Sequence, residues 1–225
     1  MSSFSLVSDV EPTLVLASSS PARQKLLRDA GIIFQVCVSS VDEDAVVARA
    51  QKDADVKDLG ELTPAQVALL LARAKAEDVA RLVDVPGAIV LGCDSVFELD
   101  GVAYGKPHDA STAVERLRLF SGASGLLHTG HWLIDTRMVH GRSSSELRTA
   151  TVHCDALSED QIHEYVATGE PLAVAGSFTI DGFGSAFIRG IEGEYHTVVG
   201  LSVNALKDML EVLGLSITNF WTKTA

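Results

Sequence analysis

The run TLVLA at residues 13–17, followed by SSSPARQKLL and by a glycine at position 31, constrains this chain more than any other stretch. The short apolar run reads as a buried strand. Ser20 stands where a helix cap belongs, Pro21 suits the first helical position, and Gly31 suits the stop. A strand feeding directly into a capped helix is the step from which α/β sheets are built. The same turn is unusually rich in hydroxyls and is followed at once by Arg23. One side-chain oxygen caps a helix, whereas three serines and a cation could also receive an anion.

The alternation continues along the chain. IIFQVCVS (32–39) reads as a second strand, and the acidic VDEDAVVARA (41–50) follows it. Thr63 caps and Pro64 opens a long helix to about residue 83, with Val67, Leu70, Leu71 and Ala74 at helical spacing on one face. AIVLGCDSVFEL (88–99) is a strand that runs into a hairpin turn at Asp100-Gly101. A helix over 110–120 stops at Ser121-Gly122. Two extended segments, 126–139 and 145–157, form an antiparallel pair. Ser158 and Gln161 make a capping box for a helix to 168. Residues 176–193 are glycine-rich with extended pieces, and 203–213 form a last helix. Strand–helix steps mixed with hairpins predict an α/β fold whose mixed, twisted sheet is flanked by helices. No repeat or long linker interrupts it, so residues 1–225 read as a single domain.

A net charge of −12 over 225 residues argues against duplex nucleic acid or a phospholipid surface as the main partner. A small anionic substrate would need a local basic cluster, a metal, or both. The N-terminus shows neither a basic nor an apolar leader segment, and no apolar run nears the roughly 18 residues of a membrane helix. The expected location is cytoplasmic. Cys37, Cys93 and Cys154 are odd in number and far apart, which fits buried reduced thiols rather than disulfides or a zinc site. His128 and His131 lie in an extended segment that sends them to opposite faces, against a shared metal.

Five charged residues stand out. Arg23 sits in the first turn of a helix that serines precede, although on this stretch alone a solvated arginine on a capped helix is the plainer explanation. Asp94 interrupts an apolar strand, which is costly unless the carboxylate is paired or metal-bound. Lys106 lies in YGKPH, where glycine and proline fix the backbone around it. Lys75 lies mid-helix among alanines, and Glu43 belongs to an acidic run whose plain reading is a solvated loop. DGFG (181–184) is only a faint phosphate-loop signal. A P-loop and a serine-hydrolase elbow are both missing.

In order, however, these stretches resemble the Maf family of nucleoside triphosphate pyrophosphatases over nearly the whole length. LASSSPARQKLL is similar to the family's opening S-x-S-P-R-R, and VDE (41–43) to its acidic element. LARAKA is similar to its R-x-K-A helix and GCDS to its A-D-T, while YGKP corresponds to its G-K-P turn. GEPLAVAGSFTIDGFGSAFIRGIEGEYHTVVGLSV resembles its C-terminal block.

The resemblance implies two lobes around a deep cleft, in a Maf/ITPase-like fold. It also implies cleavage of nucleoside triphosphates to monophosphate and pyrophosphate with a divalent cation, Mg²⁺ or Mn²⁺. Members often dimerise. By the motifs, Ser18, Ser20, Arg23, Lys75 and Lys106 would bind substrate, with Lys106 also catalytic. Glu43 and Asp94 would hold the metal, and Asp94 would accept a proton. Two departures stand out. Ala22 replaces the signature's first arginine, and Asp181 stands where a pyrimidine-specific branch has glutamine. The acid brings the loop nearer a branch that takes methylated guanine nucleotides, so Asp181 is expected at the base. A nucleotide-binding regulator of septum formation with weak turnover is the alternative. Retention of Glu43, Asp94 and both lysines speaks against it.

Overall fold

The computed structural model describes residues 11–57, 59–137 and 141–222. The leader reading and part of the link near residue 140 fall largely outside them. Seven strands form one mixed sheet: β1 (Thr13–Leu16), β2 (Phe34–Val36), β3 (Ala88–Leu99), β4 (Val102–Tyr104), β5 (Ser124–Asp135), β6 (Arg142–Cys154) and β7 (Ile188–Glu192). The order is β2-β1-β3-β5-β6-β7, with β4 pairing β3. The first two steps are parallel and the remaining pairs antiparallel. This is the mixed α/β sheet expected from the alternating steps and hairpins.

Two hydrophobic cores share one face of the sheet. Helices α1 (Pro21–Asp29) and α7 (Val203–Val212) cover Leu14, Leu16, Leu91 and Leu133 at one end. At the other end Phe97, Phe120, Leu127 and Val152 pack together, beside α4 (Ala110–Phe120) and α5 (Glu159–Ala167). Along β3 the change from one core to the other falls at Ser95, and along β5 at Thr129 and His131.

The opposite face carries α3 (Pro64–Leu82). Its buried stripe is Ala68, Ala72, Ala76 and Val79 with Leu71, whereas Val67, Leu70 and Ala74 are only half-buried. The expected leucine–valine face therefore shifts by one position toward alanine. Two glycines in the sheet explain why small residues win. A Cβ on Gly92 would lie 2.1 Å from the Ala72 carbonyl oxygen, and one on Gly130 would lie 2.5 Å from that of Ala68. The helix backbone thus rests directly on the sheet, a contact only alanine and glycine permit.

Two further expectations change. The acidic stretch is not a loop but opens α2 (Glu43–Val56), because Asp42 caps it by accepting from the Ala45 N–H at 3.0 Å. Glu43 and Asp44 then occupy its first turn, where the helix dipole favours negative charge. Strand β2 covers only three of the residues expected of it. Beyond Cys37, Asp78 of α3 accepts from the Ser39 hydroxyl and the Ser40 amide, both at 2.8 Å, and turns the chain away. Among the described residues no helix is long and apolar enough to cross a membrane.

Candidate active site

Strand β3 outruns its neighbours on one edge. β5 pairs with it from Ile89 to Glu98, but on the other edge β1 ends opposite Leu91 and β4 reaches only as far as Phe97, which its last residue, Tyr104, faces. Residues 92–96 therefore border a notch between two strand ends. The loop after β1 carries Ser18 and Ser20 to one flank, and the turn after β4 carries Lys106 toward the other.

Arg23 fills the first part of the notch. Its Nη1 donates to the Cys93 carbonyl at 2.9 Å and to Ser18 Oγ at 3.3 Å, Nη2 to Ser95 Oγ at 3.1 Å, and Nε to the Gly200 carbonyl at 2.7 Å. The Cys93 carbonyl is an acceptor that β1 leaves without a strand partner, and arginine supplies the donor. Four of the five guanidinium N–H groups are thus spent on the chain, which leaves one at Nη2. Ser20 caps α1, its Oγ accepting from the Arg23 amide at 3.4 Å, and its own amide donates to Ser18 Oγ at 3.2 Å. Pro21 has no N–H, so the Ala22 amide is the donor that α1 presents at its positive end.

The catalytic candidates meet on the α3 face. Flush packing of α3 brings Lys75 Nζ to 2.5 Å from Asp94 Oδ1 and 2.7 Å from Glu43 Oε1. Asp78, one turn after Lys75, holds the 39–41 loop and so fixes where α2 starts and where Glu43 reaches. Asp94 is buried, and burial is the largest influence on its carboxyl, raising its pKa; the charges of Lys75 and Arg23 offset only part of this. For Glu43 burial also pushes upward, but the Lys75 hydrogen bond and the charges of Lys75, Lys106 and Arg23 together hold its pKa below the usual carboxylate value. Asp94 Oδ2 accepts no hydrogen bond from any described residue.

Whether this group suits a divalent cation can be read from the donor set. Among the described residues no three His, Cys, Asp or Glu side chains cluster to form a complete protein cage. Two carboxylates nonetheless converge on one point, which the Lys75 ammonium marks. Mg²⁺ is commonly held by one or two carboxylates with water and substrate phosphates completing its shell. Glu43 and Asp94 fit that mode.

Asp181 lies apart from this group. It lines a hollow of about 430 Å³ together with Ala22, Lys25, Asp29, Tyr195 and His196. Lys25 pairs with Asp29 there, and its pKa is raised chiefly by that bond, with a smaller share from the charge of Asp181. Ala22 forms part of the wall, so the missing arginine side chain leaves space at the junction of the hollow and the start of α1. His128 and His131 point apart as expected: His128 Nε2 lies 2.9 Å from Glu98 Oε2, while His131 Nε2 accepts from the Ser202 amide at 2.8 Å. Cys93 and Cys154 are buried free thiols, pushed up to about 12 and about 11 by burial, while Cys37 is only half-buried.

The notch and its surroundings thus gather Ser18, Ser20, Arg23, Glu43, Lys75, Asp94 and Lys106. Sequence reasoning missed Ser95, Asp78 and the Gly200 carbonyl, which position Arg23 and Glu43. Ser95 points to the sheet face opposite Asp94, so spacing linked it to nothing. The Gly200 contact is a backbone oxygen distant in sequence, and no residue type signals it.

A family model described as "Maf-like protein" matches residues 13–213. The chain is 48% identical over 208 residues to the "Nucleoside triphosphate pyrophosphatase" of Streptomyces coelicolor, with 92% of this chain and 94% of the relative covered. It is 46% identical to the protein of that name from Salinispora tropica, with 93% and 88% covered. Among solved structures, the Staphylococcus aureus Ham1 protein aligns with a TM-score of 0.41 at 12% identity, covering 92% of this chain and 93% of that one.

Proposed function

The chain belongs to the Maf-like protein family, and from that premise we propose that it hydrolyses nucleoside triphosphates to a monophosphate and pyrophosphate at the notch on β3. The observation that carries this reading is the convergence of Glu43 and Asp94 on the Lys75 ammonium, beside the hydroxyl-lined start of α1. Phosphoryl transfer is mostly positioning and charge neutralisation, and those are the means assembled here.

The phosphates lie over the start of α1, where the Ala22 amide, the Ser18 and Ser20 hydroxyls and the remaining Arg23 N–H receive them. Lys106 reaches them from the opposite flank. Water attacks the α-phosphorus, the bond to the bridging oxygen breaks, and pyrophosphate leaves with that oxygen. Asp94 takes the water's proton on Oδ2 while Lys75 holds Oδ1. Burial makes this carboxylate a stronger base than a solvated one. A divalent cation on Glu43 and Asp94, when bound, supplies charge neutralisation for the phosphates.

The base then extends toward the hollow that Asp181 lines. An ionised carboxylate only accepts, so it favours an edge presenting N–H donors, as guanine does through N1 and its exocyclic amine. Uracil-type bases offer one N–H between two carbonyl oxygens. The mismatch corresponds to roughly tenfold discrimination or more.

Chromatography of the products from guanosine and uridine triphosphates tests the reading, with Asp94→Asn beside the unaltered protein. Monophosphate and pyrophosphate are expected, with turnover down about a hundredfold in a variant that still melts cooperatively. Release of diphosphate and orthophosphate, or near-normal turnover by the folded variant, overturns it.

A further inference from the structure

The glycines of DGFG do wrap an anion, and it belongs to the chain itself. Glu170, just after α5, accepts hydrogen bonds from the Phe183 amide on Oε2 and from the Gly184 amide on Oε1, each at 2.9 Å. Its Oε1 also accepts from the Tyr165 hydroxyl at 2.9 Å and from the Thr179 hydroxyl. The Tyr165 oxygen in turn accepts from the Thr179 amide at 3.2 Å. These donors stand on both sides of Asp181, so residues 179–184 form an arch closed around one carboxylate with Asp181 near its crown.

Space confirms how tightly the arch is drawn. A Cβ on Gly182 would lie 2.2 Å from Glu170 Oε2, and one on Gly184 would lie 2.4 Å from the Tyr165 hydroxyl. Both glycines are needed for close approach to this pair, and neither has a left-handed φ to explain it otherwise. Burial tends to raise the Glu170 pKa, but the bonds from Thr179, Gly184, Phe183 and Tyr165 outweigh it and hold the group ionised. Nothing in the phosphate notch touches Glu170. Apart from its amide, which donates to Thr168 Oγ1 at 3.2 Å, its hydrogen bonds hold the loop that presents Asp181 to the hollow, directly or through Tyr165.

We propose that Glu170 is a positioning residue for nucleobase selection, holding Asp181 in place by anchoring the arch at Thr179 on one side and at Phe183 and Gly184 on the other. The proposal rests on the pyrophosphatase reading and on Asp181 meeting the base. A carboxamide at this position has a single acceptor oxygen and an NH₂ group facing donors, so it cannot gather the same set. Asp181 then loses its fixed place, while the notch keeps its own supports.

The test compares Glu170→Gln, Asp181→Ala and the double variant in full-length protein, on guanosine and uridine triphosphates. The inhibition constant of inorganic triphosphate, which has no base, is measured alongside. Glu170→Gln is expected to raise KM for the preferred nucleotide roughly tenfold and flatten the base ranking. Its kcat and its affinity for inorganic triphosphate should stay within about threefold of the parent. The double variant should match Asp181→Ala, because Glu170 acts through that residue. Additive losses, or weaker inorganic triphosphate binding in step with KM, overturn the proposal. So does an unchanged ranking in Glu170→Gln while the parent still releases pyrophosphate. A parent without pyrophosphate release refutes the functional reading instead. Should Glu170→Gln fold poorly, Thr179→Val removes one donor to the carboxylate and should move KM and ranking in the same direction.

Discussion

His131 makes the fold sensitive to acid in a way that can be calculated. The ring is fully buried on β5; its Nδ1 lies 3.2 Å from the Glu146 carbonyl, and its Nε2 accepts the Ser202 amide at 2.8 Å. Only the neutral tautomer with the proton on Nδ1 satisfies both bonds. Burial is the chief cause that lowers its pKa from 6.5 to about 4, with Arg23 and Arg148 adding repulsion. The unfolded chain takes up this proton near pH 6.5, whereas the native chain refuses it until about pH 4. The contribution is therefore complete above pH 6.5 and is lost as pH falls from 6.5 to 4. At full extent it is about 3 kcal/mol, and about 2 kcal/mol of it is gone by pH 5. For a chain of this length 2 kcal/mol corresponds to roughly 4 to 8 °C in Tm. Asp94, whose pKa is raised by burial, works in the opposite direction, so the informative quantity is the difference between two proteins. Thermal melts from pH 7.5 to 5 should show the parent losing this increment while His131→Gln, less stable throughout, has a flatter profile. Equal slopes for the two would refute the assignment, as would an NMR titration of His131 with a midpoint near 6.5. The consequence reaches the site, because Ser202 follows the turn whose Gly200 carbonyl holds Arg23.

Three further outcomes can be checked. Gly92→Ala should lift α3 from the sheet, costing about 1 to 3 kcal/mol by denaturant titration and lowering kcat, since Lys75 moves away from Asp94; unchanged stability and turnover would contradict the backbone contact. Lys75→Met removes the cation nearest Asp94, so the acid limb of the kcat profile should move to higher pH, and a profile that stays in place would detach Lys75 from the base. A thiol reagent at pH 8 followed by peptide mapping should label half-buried Cys37 well before Cys93 or Cys154, whose thiols burial pushes up to about 12 and about 11; labelling of Cys93 first would place it wrongly.

Much of the architecture was legible because local chemistry decided it. The caps at Ser20, Thr63 and Ser158, the hairpin turn at Asp100-Gly101 and the antiparallel pair after α4 all rest on contacts near in sequence. Misreadings occurred where a distant partner took over. Strand β2 stops early because Asp78 captures Ser39 and Ser40, and the buried face of α3 is set by Gly92 and Gly130 on the strands beneath it rather than by its own apolar spacing. The residues around DGFG looked like extended pieces because a glycine-rich stretch carries no periodicity. Only β7 is strand there, and the loop takes its shape from Glu170. Among the candidate residues, Asp94 and Lys106 sit in contexts that make a charge expensive or aimed, whereas Arg23, Lys75 and Glu43 stood out only through the order of the motifs. Their supports were not legible, being hydroxyls and backbone oxygens of ordinary type.

The notch also explains how groups from opposite sheet faces can serve one reaction. Alternation along β3 sends Asp94 toward α3 and Ser95 toward α1, so a closed sheet would keep Lys75 and Arg23 on separate sides. Because β1 ends opposite Leu91 and β4 ends opposite Phe97, the edge between them is open and both cations approach the same short length of backbone. Arg23 influences Asp94 and Glu43 by charge across that edge without touching either. Three cations, Arg23, Lys75 and Lys106, then stand against two carboxylates in a chain whose net charge is −12. The local balance is positive only slightly, which is too little for a triphosphate and its four negative charges. A divalent cation held by Glu43 and Asp94, as proposed above, would offset most of that deficit while Lys75 keeps Asp94 Oδ1.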